Sequence, residues 1–448
     1  MAAPALFWFR RDLRLADNPG LTAATAGARP VIPVFIHDPV QDKSGGALDW
    51  WLHHSLASLD KSLRTLGSRL IVRQGDAETL IPKLIAETGA EAVYCNRLEE
   101  PWAIAQQERL ERTVELVAGN AALLFEAGSI VNGSGQPFRV FTPFWNACLR
   151  EGLPPPPLDP PKELPPVDEH VTSDPLDLLP AKPDWAGGLR RAWTPGEQAA
   201  WVALRRFLEG RLKGYASERE IPGKDGTSAL SPYLRFGEIG PRQVFHAIRN
   251  FAPPTHDADR FLAELGWREF SYHLLAAFPD LPYRPLRSEF ARFPWRDDPA
   301  GLKAWQQGRT GIPLIDAGMR QLWTTGWMHN RVRMAVASFL VKNLLIPWEQ
   351  GAAWFWDTLV DADLANNSAS WQWVAGCGVD AAPYFRIFNP VLQGERFDPK
   401  GEYVRRWCPE LEGVPDRLVH KPRNPIVDLA GSRTRALDAF AKMGSSYG

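Results

Sequence analysis

Between Trp323 and Trp373 the chain gathers Asn330, Arg333, Met334, Asp361, Asp363, Asn366, Asn367, Trp371 and Trp373. A packed core gains nothing from Asn-Asn beside Asp-x-Asp, because buried amides and carboxylates without partners are costly. The group is therefore read as the lining of a site for a polar, extended ligand. Arg333 is suited to pair with one of the aspartates. Asn330 and Met334, four residues apart, share one helix face. Upstream, Glu264 and Trp267 in FLAELGWREF lie three apart and point to one side of a helix, the plainer reading being an amphipathic helix with Glu264 at its rim. Thr227, Ser228 and Ser231 in GTSALSPYL fall at an expected helix start, where free N–H groups and hydroxyls favour phosphate; an ordinary cap is the alternative.

These side chains need a scaffold, and two kinds of pattern supply it. The runs Ala5 to Phe9, Val31 to Ile36, Arg69 to Arg73 and Ala92 to Cys95 are β-type and alternate with helical patterns such as Trp50 to Leu66 and Glu78 to Glu87. That alternation predicts a Rossmann-like parallel sheet covered by helices. The first strand runs into FRRDLRLADN, without the G-x-G-x-x-G of dinucleotide-binding domains. SGQPFRVFTPFWNACLR closes this half, and the proline-rich GLPPPPLDPPKELPPVDEHVTSDPLDLLPAKPDW sustains neither helix nor central strand. From Pro195 helical patterns dominate, and the apolar spacing from Gly326 to Leu345 predicts a buried helix. The expected organisation is an α/β N-terminal domain over residues 1–133, a linker over 134–194, and an all-α C-terminal domain over 195–448.

Composition narrows the class. With 51 Lys and Arg against 52 Asp and Glu the net charge is −1, so any basic surface must be local. The four cysteines are widely separated and form no CxxC pair, which predicts reduced thiols in a cytoplasmic protein, with no metal site. No segment reads as a signal peptide or membrane span. The 19 tryptophans are the outlier: their crowding between Trp267 and Trp373 exceeds the needs of packing and makes electron transfer or base stacking worth weighing.

The ordered motifs WMHNRVRM, DADLANN and WQWVAGCGVDAAPYFRIFNP resemble the flavin domain of the photolyase and cryptochrome family. FWFRRDLRLADN near the start and FDPKGEYVRRW near the end extend the likeness over essentially the whole chain. The resemblance implies FAD held by Tyr215, Arg219, Thr227, Ser228, Ser231, Asn330, Arg333, Asp361, Asp363 and Asn367. Asn367 would face flavin N5, where plant-type cryptochromes carry Asp. It implies repair of cyclobutane pyrimidine dimers through Glu264, Trp267, Asn330, Met334 and Trp373, with Trp371, Trp348 and Trp295 passing electrons inward and Trp354 and Trp356 as a second branch. The alternative within the family is a blue-light photoreceptor without repair activity. Six-four photolyases carry a His pair where this chain has His329 and Asn330, and the following RVRM differs from theirs.

The implied partner is DNA containing pyrimidine dimers, bound by a monomer. Its phosphates would meet Arg331, Arg386, Arg396 and Arg405, with Lys400 and Arg406 as further contacts. The N-terminal domain would house an antenna chromophore, a folate (methenyltetrahydrofolate) ahead of a deazaflavin. Where many folate-binding members carry Asn-Glu, however, this chain has Trp102 and Ala103, with Glu99 and Glu100 nearby.

Overall fold

The computed structural model describes residues 3–27, 29–39, 45–180, 182–251, 253–381 and 385–444. Part of the APYFRIFNP motif, Ala382 to Tyr384, lies outside them, as does the chain end at Gly448.

Five short strands, β1 (Ala5–Phe9), β2 (Val31–His37), β3 (Ile71–Gln74), β4 (Ala92–Asn96) and β5 (Leu116–Gly119), form a parallel sheet in the order β3-β2-β1-β4-β5. All residues of β1 and β2 are buried, as expected of central strands covered on both faces. The register sets Trp8 of β1 beside Val34 and Cys95. The helices Gly46–Thr65 and Ala77–Thr88 lie where helical spacing predicted them.

After β5 the described residues contain no further strand, only an isolated bridge between Val131 and Pro137. The stretch 134–194 is not all irregular: FTPFW opens a helix at Phe141–Glu151 that buries Phe141, Phe144 and Trp145, and a shorter helix spans Gly187–Ala192. The first of these packs on the long helix His256–Ala277, which carries Glu264 and Trp267.

The loop after β1 joins the sheet to the helical half. Arg14, fully buried, donates to Gly237 O at 2.9 Å, Asp17 O at 2.6 Å and Ala121 O at 2.9 Å. Three buried or largely buried carboxylates reinforce the seam. Glu197 accepts from Leu15 N and Ala16 N, Glu238 from Trp51 Nε1, and Glu269 from Leu124 N and Phe125 N. Burial raises Glu238 to about 8 and Glu269 to about 7. A neutral carboxyl with such donors crosses the seam at far lower desolvation cost than a bare charge.

Candidate active site

Four helices bring the predicted side chains together: His256–Ala277, Asn330–Ser338, Trp348–Thr358 and Leu364–Ala375. The helix expected over 326–345 begins only at Asn330, because His329 caps it by accepting Arg331 N on Nδ1 at 3.2 Å. Burial pushes His329 down to about 4, so the ring is neutral. At Phe339–Leu344 the helix widens into a π-helical turn.

Arg333 and Asp361 form the anticipated pair at 2.8 Å, and Arg333 Nε also donates to Met328 O at 2.7 Å. The Asp361 side chain is 3% exposed, and its Oδ1 has no partner. An orphaned acceptor at such depth is expensive unless a ligand donor meets it, so this is where the residues present fit a polar cofactor. Asn367 donates through Nδ2 to Ala352 O at 3.1 Å, leaving its amide oxygen to accept from a ring N–H. Asp363 is different. It caps the helix Leu364–Ala375 through Asn366 N at 2.9 Å, and its other oxygen accepts the Tyr272 hydroxyl. Burial raises its carboxyl, yet Arg268, Arg235, Tyr272 and the Asn366 N–H outweigh burial and leave it lowered. In this geometry it caps the helix and bonds both Asn366 and Asn367.

Of the hydroxyl residues, only Ser231 starts the helix Ser231–Phe236; Thr227 and Ser228 lie in the loop before it, with Ala229 held at a left-handed φ of 53°. Backbone held in this way is typical of sites shaped for a ligand. Ser231 Oγ accepts Trp327 Nε1 at 3.3 Å. Tyr215 is buried, with Arg219 over its ring at 5.4 Å. Arg219, expected among the cofactor contacts, is engaged by Glu264 and lies 3.8 Å from Glu220, which in turn pairs with Arg331. Arg260 adds a longer contact to Glu264 at 3.7 Å.

The substrate-side residues are joined by a residue that the sequence did not single out. Phe141 stacks on Trp267 at 3.8 Å between ring centres and 10° between planes. Its backbone also bonds the Asp380 carboxylate, and Asp380 O accepts Trp373 Nε1 at 3.0 Å. Trp267 and Trp373 are thus tied through Phe141 and Asp380, the latter at a left-handed φ of 54°. Asn330 is exposed at the helix start, and Met334, one turn on, is half-buried with its sulfur 3.9 Å from the Arg331 guanidinium.

Trp371 is buried against the helix Trp348–Thr358, which Gly351 permits: a Cβ there would lie within 2.5 Å of Trp371 Cζ3. Trp348 starts that helix, and Arg296 N bonds Leu345 O at 2.7 Å, bringing the Trp295 segment alongside. Trp305, fully buried, meets Trp371 edge-on at 6.3 Å. Trp354 stacks at 5.9 Å on Trp323, which is 64% exposed, whereas Trp356 lies under Arg235.

Three of the basic residues line one cavity of about 540 Å³: Arg331, Arg386 and Arg396. Arg405 does not line it. It bonds Lys400 O, Val414 O at 2.6 Å and Asp416 at 2.8 Å. Arg406 donates to Gly223 O at 3.3 Å, and Lys400 is exposed. At the carboxyl edge of the sheet a narrower cavity of about 70 Å³ is lined by Trp8, Arg10, Arg11, Asp38, Trp102 and Gln106, among others, and by Arg235 of the helical half. The tryptophan that departs from the folate-binding pattern therefore sits on a cavity wall. No helix among the described residues is long and apolar enough to cross a membrane, and no metal-binding cluster occurs among them.

Comparison with known proteins agrees with this geometry. Residues 5–163 match the model of the DNA photolyase domain, and 261–442 that of the FAD binding domain of DNA photolyase. A deoxyribodipyrimidine photo-lyase of Agrobacterium fabrum is 48% identical, over 98% of each chain. Cryptochrome-1 of Arabidopsis thaliana is 38% identical over 98% of this chain and 70% of its own. A bacterial class III photolyase from Agrobacterium tumefaciens superposes with a TM-score of 0.96 at 47% identity, covering 99% of this chain and 98% of that one. The chain belongs to the photolyase and cryptochrome family of FAD-binding proteins. Within it, the enzyme type is deoxyribodipyrimidine photo-lyase.

Proposed function

We propose that this enzyme, as a monomer, repairs cyclobutane pyrimidine dimers in DNA with light. The observation that carries the reading is the pair of indoles, Trp267 and Trp373, held in one frame by Phe141 and Asp380 and flanked by Glu264. Two joined pyrimidines taken out of the duplex lose their stacking, and stacking on indoles returns roughly 1–3 kcal/mol per base.

Bound in reduced form, FAD would supply the light-driven, reversible one-electron chemistry that opening the cyclobutane ring requires. Asp361, Arg333 and Asn367 would hold the flavin, Asp361 through its orphaned oxygen. Glu264 hydrogen-bonds a pyrimidine of the lesion and steadies its radical anion. Met334 forms an adaptable apolar wall, and Asn330 a polar contact. Trp371, Trp348 and Trp295 carry an electron from the surface toward the flavin. Arg331, Arg386 and Arg396 contact DNA phosphates, which sets orientation without reading sequence.

An antenna is assigned to the cavity at the sheet edge, where Trp102 would offer a ring face; the cavity would have to open to admit it, because Arg10 covers the Trp8 ring at 4.5 Å and Arg11 is paired with Glu100. Substituting Glu264→Ala tests the substrate side. Repair per absorbed photon should fall with flavin content unchanged, and an unchanged yield would remove Glu264 from the mechanism. A dimer-containing oligonucleotide bound no better than an undamaged one would reject the substrate assignment.

A further inference from the structure

A carboxylate already stands where the proposed function sends a DNA phosphate. Arg331 pairs with Glu220, whose Oε1 lies 3.8 Å from Arg219 Nε. Arg219 pairs through its other end with Glu264, and Arg260 lies 3.7 Å from the same Glu264 oxygen. Five side chains thus alternate in charge from a wall of the arginine-lined cavity to the carboxylate assigned to the lesion. They come from three places in the chain: Arg219 and Glu220 just after the short helix Tyr215–Glu218, Arg260 and Glu264 on the helix His256–Ala277, and Arg331 on the helix Asn330–Ser338. His329, beside Arg219, is neutral and adds no charge.

The members differ in depth. The Arg219 side chain is 8% exposed, whereas those of Glu220, Arg331 and Glu264 are 26%, 23% and 28% exposed. A buried guanidinium needs a carboxylate beside it, because an unpaired buried charge is costly. Partly solvated ion pairs contribute little net stability, so the outer members exchange partners readily. Arg219 thus keeps one carboxylate at all times, and Glu220 and Glu264 compete for it. Arg331 decides between them: while it holds Glu220, Arg219 is left to Glu264.

We infer that Glu220 is a positioning residue that makes the lesion contact of Glu264 depend on a phosphate at Arg331, an inference that rests on the DNA reading above. A phosphate on Arg331 repels the Glu220 carboxylate. Glu220 turns to Arg219, and Glu264, released, accepts an N–H of the extruded pyrimidine. Undamaged DNA displaces Glu220 without offering that N–H, so the exchange favours the lesion.

The test measures, in the dark, the affinity of flavin-loaded protein for a labelled oligonucleotide carrying one thymine dimer and for its undamaged counterpart. Glu264→Ala removes a charge-assisted hydrogen bond and should weaken dimer binding by about tenfold in the otherwise unaltered protein. With Glu220→Gln nothing draws Arg219 away from Glu264. Preference for the dimer should fall, and adding Glu264→Ala should then weaken binding by less than about threefold. With Arg331→Gln, Glu220 is free to take Arg219: both DNAs should bind more weakly, yet Glu264→Ala should still weaken dimer binding by about tenfold. Glu218→Gln removes the same charge two residues away, at a surface pair with Lys224, and should leave the Glu264→Ala effect intact. Glu220→Ala repeats the test without an amide to keep the bridge, and flavin content and thermal midpoint check that each variant folds. A Glu264→Ala effect of equal size with and without Glu220 would overturn the inference while leaving the repair assignment standing, and so would loss of that effect in Arg331→Gln. No effect of Glu264→Ala on dimer binding in the otherwise unaltered protein would remove the lesion role of Glu264 and the inference with it.

Discussion

Replacing Gly351 by alanine sets two effects against each other. In the middle of an open helix the change would stabilise by about 1 kcal/mol, because glycine is the poorer helix former. Here the new Cβ would lie within 2.5 Å of Trp371 Cζ3 and 2.6 Å from Leu340 Cδ2, closer than carbon atoms approach. Forcing a methyl into a packed core costs typically about 1–3 kcal/mol. The net loss is then between about zero and 2 kcal/mol, a fall in the thermal midpoint of at most several degrees at about 2–4 °C per kcal/mol. The Trp371 indole is the part free to give way, since the helix backbone on the other side is fixed by its own hydrogen bonds. Electron transfer falls steeply with separation and misorientation, so flavin photoreduction under blue light should slow several-fold while flavin content stays at the wild-type level. A variant with a raised midpoint and wild-type photoreduction would refute both the tight contact and the role given to Trp371.

Phe141→Ala should leave Trp267 without its stacking partner and lower affinity for dimer-containing DNA more than for undamaged DNA; equal losses on both would deny that Phe141 positions Trp267. Asp361→Ala unpairs Arg333 and should yield protein that loses flavin on dialysis, with a thermal midpoint that added FAD no longer raises, as mass action requires of a lost ligand site. Retained flavin absorbance would contradict the assignment. Glu269 supplies a pH signature. Burial raises its carboxyl from 4.5 to about 7 despite Arg268 and two backbone N–H donors. A carboxyl raised in the folded state takes up a proton on folding. Its contribution is therefore full below the unfolded pKa and is lost as pH rises through about 7. The midpoint of the wild type minus that of Glu269→Gln should fall between about pH 5 and about pH 8, and a difference flat with pH would contradict the burial argument.

Much of the scaffold is legible in the sequence because its signals are local. The β-type runs gave four of the five strands; β5 was missed because Leu116–Gly119 is four residues long, ends in glycine and lies at the sheet edge. The polar cluster from Asp361 to Asn367 reads as cap chemistry, and the Asp363 cap is what positions Asn366 and Asn367. What is not legible depends on partners distant in the chain. Phe141 meets Trp267 through the packing of two helices far apart in sequence, and nothing in FTPFW points to it. The pairing of Arg219 with Glu264, and of Arg405 with Asp416 and Val414 O, is likewise invisible in the sequence. The apolar spacing from 326 does not show that the helix starts a turn later, at Asn330, because His329 caps through its ring nitrogen.

Light-driven repair is the most direct measurement of the central claim. Reduced, flavin-loaded protein is mixed with a single-stranded oligonucleotide carrying one thymine dimer and exposed to near-ultraviolet light, and thymine absorbance is followed against a dark control. Thymine absorbance should recover in the light alone, at a rate that falls with Trp267→Ala and Glu264→Ala. Protein that holds flavin, photoreduces it and binds the oligonucleotide, yet restores no thymine absorbance, would contradict light-driven repair and leave the photoreceptor alternative standing.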